Sequence, residues 1–274
     1  MSEHGEIEKQ CFEYIKSNLV SHNEFCYVCS VEDDEIIENA FNTAFPNPIW
    51  NKFPDFMFNG GFIEHFEVTS SYSNRNGSKM EIEKAELKKE ADQNDKALEE
   101  EMNQTPCYEG KTIITEKYHS KHTYDNFCSS FKKNWDNHIN KLFKYSGDTD
   151  IGIFMIQYND SALVLDNIYP DVKLDLFYGD LLERDEYRGY RLTRDSDMLE
   201  YIYNYKEQIK FVVFFNNDSY HGKKCEIICV ENIPEILKII KGRYSFHAGT
   251  ITSVRYTYGI SHKNPFYKGN EEDE

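Results

Sequence analysis

No run of eighteen or more apolar residues occurs in the 274-residue chain, so the sequence offers no candidate membrane-spanning helix. Its first ten residues, MSEHGEIEKQ, are polar and acidic where a secretory leader would be basic and then apolar, which leads us to expect a soluble, cytoplasmic protein with no membrane partner. The seven cysteines (11, 26, 29, 107, 128, 225 and 229) are odd in number and lack framework spacing, as suits reduced thiols. Glycine-rich phosphate loops and dinucleotide fingerprints are missing. So is a nucleophile elbow, because Thr69-Ser70-Ser71 lacks the flanking glycines. No internal repeat and no convincing linker appears. Positive charge is also short: 31 Lys and Arg against 48 Asp and Glu give a formal charge of -17. Affinity for nucleic acid comes largely from Lys and Arg on phosphates, so a surface that is basic all round is excluded.

What is present is core material and locally clustered charge. The chain is 39% hydrophobic and holds 20 Tyr and 19 Phe, ample for a buried core. Acid concentrates at 31–38, 97–101 and 271–274. Residues 111–145 carry seven lysines against Glu116, Asp125 and Asp136, a basic face on an acidic protein. The composition leaves room for a homodimer and for a protein partner bound through the acidic surface.

Helical spacing of Ile7, Cys11, Tyr14, Ile15 and Leu19 predicts a helix over 6–19. Two strand-like runs, IWNKFPDFMF and GFIEHFEVTS, flank Asn59-Gly60-Gly61, the strongest hairpin signal in the chain. Ser78 and Glu81 form a capping-box pattern at the start of a charged helix over 79–101. Residues 102–124, broken by Pro106 and Gly110, read as loop. A stripe of Phe127, Phe131, Trp135, Ile139 and Leu142 predicts an amphipathic helix over 124–145. Buried strands are expected at 151–158 and 210–216, and a strand running into a helix over 225–240. The fold class is therefore α/β, a central mixed sheet flanked by helices, as one domain over 1–265 with insertions and a disordered acidic tail at 266–274.

The hairpin contains three acids, Asp55, Glu64 and Glu67, within an apolar stretch. Counting outward from Asn59-Gly60 pairs Phe56 with Ile63 and brings Asp55 opposite Glu64, with Cβ atoms about 4.5 to 5.5 Å apart. Two carboxylates so close repel, and a divalent cation relieves that repulsion. A one-residue slip or a bulge would bring Glu67 to Asp55 instead, and the sequence leaves both open. By the period-two rule His65 points to the other face from Glu64, into the core or in support of the site.

Pro54-Asp55 on one strand and a glutamate on the next, preceded by a helix and followed by helix and strand, resemble the PD-(D/E)XK nuclease superfamily, the restriction endonuclease-like fold. The resemblance spans roughly 5–230 and implies a Mg²⁺- or Mn²⁺-dependent nuclease hydrolysing DNA phosphodiester bonds, with Asp55 and Glu64 or Glu67 as catalytic metal ligands. In that superfamily a lysine two residues after the glutamate helps to activate water. Here those positions are Phe66 and Thr69. Either the amine arrives from elsewhere, with Lys79 the first candidate and Lys84 the next, or the fold has been kept for binding alone. Lys132, Lys133, Lys141 and Lys144 are the expected contacts to the DNA backbone. A third reading has the acids merely protecting an edge strand.

Two further patterns carry less. Cys26, Cys29, Cys225 and Cys229 could supply four thiolates to zinc, but residues 225 and 229 on one strand stand about 13 Å apart, too far to chelate together. His119 and His122 have no third ligand nearby and read as polar loop.

Overall fold

The computed structural model describes residues 3–19, 25–28, 30–49, 52–71, 79–104, 112–118, 122–160, 162–167, 187–218, 221–248 and 251–257. The first helix, α1 (Glu3–Leu19), buries Cys11, Phe12, Ile15 and Leu19 at the spacing expected of one helical face. After β1 (Phe25–Val28), Ser30 caps α2 (Val31–Thr43) in a reciprocal box with Asp33, and the acids at 32–34 occupy its first turn, where they favour the helix dipole. The two-residue β2 (Phe45–Pro46) leads to the hairpin of β3 (Phe56–Phe58) and β4 (Gly61–Val68). Its register is the one counted from the turn, Phe56 opposite Ile63 and Phe58 opposite Gly61, and Gly60 takes the positive φ that the turn requires. Pro54 lies just ahead of β3, where it withholds no ladder hydrogen bond.

From there α3 (Lys79–Asn103) and β5 (Thr112–Tyr118) precede α4 (Tyr124–Leu142), β6 (Ile151–Tyr158) and β7 (Leu163–Asn167). Then follow α5 (Ser196–Tyr203), β8 (Phe211–Asp218), β9 (Gly222–Cys229), α6 (Ile233–Ile240), β10 (Tyr244–Ala248) and β11 (Ile251–Thr257), the last element among the described residues. The architecture is α/β, with a mixed sheet in the order β1-β9-β8-β6-β4-β3-β2. Strands β4, β6 and β8 are mutually parallel, β3 and β9 antiparallel to their inner neighbours. The strands expected at 151–158 and 210–216 thus belong to one sheet.

The inner strands are apolar on both faces because helices cover both. On one face Phe127, Phe131, Trp135 and Ile139 of α4 pack with Phe62, Phe66, Phe154 and Ile156. On the other, α1 and α2 bring Phe12, Ile15, Ile37 and Phe41 against Ile63, Ile153, Met155 and Val213.

The chain divides into two compact units, 1–72 with 121–248 and 73–120 with 249–274. The second holds α3, whose Leu87, Ala91, Leu98 and Met102 are buried, and the antiparallel pair β5 and β11. Helix α3, expected among the helices flanking the central sheet, is thus assigned to the second unit. Residues 102–124, expected as loop, contain β5: its partner is β11, some 140 residues on, and nothing local announces such a pairing. The acidic tail lies outside the described residues.

Candidate active site at the open edge of β4

Strand β3 stops after three residues, so β4 loses its partner past Ile63 while its odd-numbered backbone groups still point to that side. Such groups cannot be left bare in a packed protein. Side chains take the place of the missing strand. The His65 N–H donates to Asp55 Oδ2 at 2.7 Å, Asn134 Nδ2 donates to the Glu67 carbonyl at 3.0 Å, and the Thr69 N–H donates to Ser130 Oγ at 3.2 Å. Ser71 then bridges to His122, and the Thr123 N–H donates to the Ser70 carbonyl at 3.0 Å. Asn134 and Ser130 lie on the same side of α4 as His138 and Lys141, so the seam that seals the strand edge also sets the register of the helix on it.

That register delivers two side chains to Glu64. The Asp55 N–H donates to Glu64 Oε2 at 3.0 Å, His138 Nδ1 stands 2.5 Å from Glu64 Oε1, and Lys141 Nζ donates to the same oxygen at 3.2 Å. Glu64 is buried, whereas the Lys141 side chain is half exposed, so the site meets solvent along its lysine. Burial, and then the charge of Glu64, push Asp55 up to about 7. Burial raises Glu64 to about 7 as well, against the pull of Lys141. Because the charge of Glu64 helps to hold the Asp55 proton, the two carboxylates titrate as a coupled pair. Burial, reinforced by Lys141, lowers His138 to about 4, leaving the imidazole neutral at neutral pH.

Of the residues expected from sequence, the structure brings Asp55 and Glu64 together and places Lys141 with them. Glu67 falls on the opposite face: its Oε1 accepts from Asn159 Nδ2 at 2.7 Å, and Asn159 Oδ1 in turn accepts from Gln157 at 2.7 Å. His65, on that same face, is buried and bonded through Nε2 to Gln157 at 3.1 Å. Lys79 begins α3, but its side chain, that of Lys84 and the whole of Ser78 lie outside what is described. Lys133, Lys141 and Lys144 are exposed, and with Asn137 they fall at three- and four-residue steps along one side of α4 and the turn beyond it. Lys132 departs from that line and sits over the Tyr201 ring, 5.3 Å from its centre.

His138 was missed, although its spacing from Asn134 and Lys141, beside rather than within the apolar stripe, was visible in the sequence. His122, read as polar loop, is instead buried: its Nδ1 lies 2.8 Å from Ser70 Oγ, and Asp160 accepts from Ser70 Oγ, the Ser70 N–H and Thr69 Oγ1. Ser70, His122 and Asp160 do not make a nucleophile triad, since all three are buried and serine and aspartate approach the same histidine nitrogen. Cys225 and Cys229 are buried and form no disulfide, and the side chains of Cys26 and Cys29 lie outside what is described.

Among the described residues, no group of three or more His, Cys, Asp or Glu side chains is disposed to hold a metal ion. A buried glutamate and a partly buried aspartate, both pushed up to about 7, are nonetheless a donor set that could hold Mg²⁺. Magnesium is commonly held by one or two carboxylates and completes its shell with water and substrate phosphate. No protein-family model matches the chain, and no curated protein or solved structure matches it significantly.

Proposed function

We propose that the protein is a divalent-metal-dependent nuclease of the PD-(D/E)XK kind, hydrolysing phosphodiester bonds in DNA. The observation that carries this reading is the convergence of Asp55, Glu64 and Lys141 on one half-open site, two carboxylates with raised proton affinity and one amine. Asp55 and Glu64 would hold the Mg²⁺, which when bound neutralises phosphate charge and lowers the pKa of coordinated water. Lys141 supplies from α4 the amine that Phe66 does not supply from β4. Its ammonium, half in solvent, is anchored on Glu64 Oε1 and lies 3.4 Å from His138 Nδ1, and its solvent side can meet the charge that develops on a phosphate oxygen. Lys133 and Lys144 extend the positive side of α4 along the path of a phosphate backbone.

The test is cleavage of plasmid and oligonucleotide DNA with Mg²⁺ or Mn²⁺ by the wild type, Asp55→Ala and Glu64→Ala. Cleavage that needs metal and disappears in both variants supports the reading. DNA binding without cleavage by the wild type would favour a degenerate domain kept for binding.

A further inference from the structure

A buried glutamate is useful to a metal only if its carboxylate is held in one orientation, and β4 alone does not supply that restraint. The His138 ring stacks on Phe66, with centroids 4.7 Å apart and planes at 21°, and meets the edge of Phe154 at 6.4 Å and 77°. Phe66 in turn packs edge-on against Phe154 at 5.5 Å. Two aromatic rings therefore fix the imidazole with Nδ1 toward Glu64 Oε1, 2.5 Å away. Phe66 is also the residue two places after Glu64. The aromatic ring that stands where an amine would be expected thus supports the histidine that holds the glutamate.

We infer that His138 is a positioning residue: clamped by Phe66 and Phe154, it donates its Nδ1–H to Glu64 Oε1 and fixes that carboxylate for metal binding. The inference rests on the reading of Asp55 and Glu64 as metal ligands. An ionised carboxylate only accepts, so the bond requires the Nδ1–H tautomer of the neutral ring. Hydrogen bonds to metal-ligating groups contribute about 10- to 100-fold in metal affinity.

The experiment is Mn²⁺ titration calorimetry at pH 8.5 on the full chain, with proton–nitrogen NMR of the metal-free histidines at the same pH. His138→Phe, which keeps the aromatic packing and loses the donor, should weaken Mn²⁺ binding by about 10- to 100-fold. His138→Gln, which keeps a donor, should recover part of that loss. The His138 ring should carry its proton on Nδ1. A role confined to packing would leave the affinity of His138→Phe within twofold of wild type, and that result, with Glu64→Gln abolishing binding, overturns the inference while the metal reading stands. A proton found on Nε2 overturns it independently, even if His138→Phe does not fold. Failure of the wild type to bind Mn²⁺ overturns the metal reading and the inference together.

Discussion

At the residue scale, Asp55 and Glu64 each answer two demands. Asp55 Oδ2 takes the His65 N–H that β3 is too short to reach, which is edge protection in a literal sense. Edge protection does not account for the buried carboxylate of Glu64 beside it. The pair carries a stability cost that depends on pH. Both groups have folded pKa values near 7, above their ordinary 3.8 and 4.5, so the folded state holds protons that the unfolded chain has lost. Their contribution is complete below about pH 4 and is lost as pH rises through 7. His138, lowered to about 4, makes the opposite contribution below pH 6.5, so the melting temperature of the metal-free protein should fall between pH 6.5 and 8, and Asp55→Asn should flatten that fall. Asp195, pushed up to about 6 by burial, adds a fall of the same sign that both proteins share. A steeper slope in Asp55→Asn would contradict the assignment. Metal must displace the protons that the raised carboxylates retain near neutral pH, so Mn²⁺ affinity should rise with pH up to about 8. Calorimetry in two buffers of different ionisation enthalpy would register the proton released.

At the element scale, the position of α4 on β4 is set by Ser130, Asn134, His138 and Lys141 meeting residues 69, 67 and 64. A helix rises 1.5 Å and a strand about 3.3 Å per residue, so eleven helical residues and five strand residues both span roughly 16 Å. The match lets one side of the helix track the strand edge. Asn134→Ala removes the Nδ2 donor to the Glu67 carbonyl and should cost about 1 kcal/mol in denaturant unfolding. It should also slow cleavage more than it weakens Mn²⁺ binding, because the amine on α4 shifts while both carboxylates stay. Equal losses in the two measurements would remove the register argument. The hairpin register was legible in the sequence because Asn59-Gly60 fixes a two-residue turn and side chains alternate strictly from there. The arrival of His138 and Lys141 was not, since helix-on-strand register depends on packing that no local pattern encodes. Lys79 was the nearer candidate along the chain, while the residue that reaches Glu64 lies 77 positions away from it.

At the scale of the whole molecule, the coarse α/β class followed from alternating periods, and the division into two units did not. The second unit joins 73–120 to the chain's end, a closure over more than a hundred residues that composition does not mark. The formal charge of -17 confines any DNA contact to a small basic surface. With Lys133, Lys141 and Lys144 as the phosphate contacts, log K against log salt should have a slope of about -2 to -3, and Lys144→Ala should reduce it by about 0.9. Lys132→Ala, which removes a cation already placed over Tyr201, should change the slope less.

The account turns on Lys141 as the amine of a metal-dependent site, and the Mg²⁺-dependent DNA cleavage rate of Lys141→Met tests that most directly. The predicted result is a rate on the order of 10² to 10³ lower than wild type, with Mn²⁺ still bound. Cleavage by Lys141→Met at the wild-type rate would contradict it.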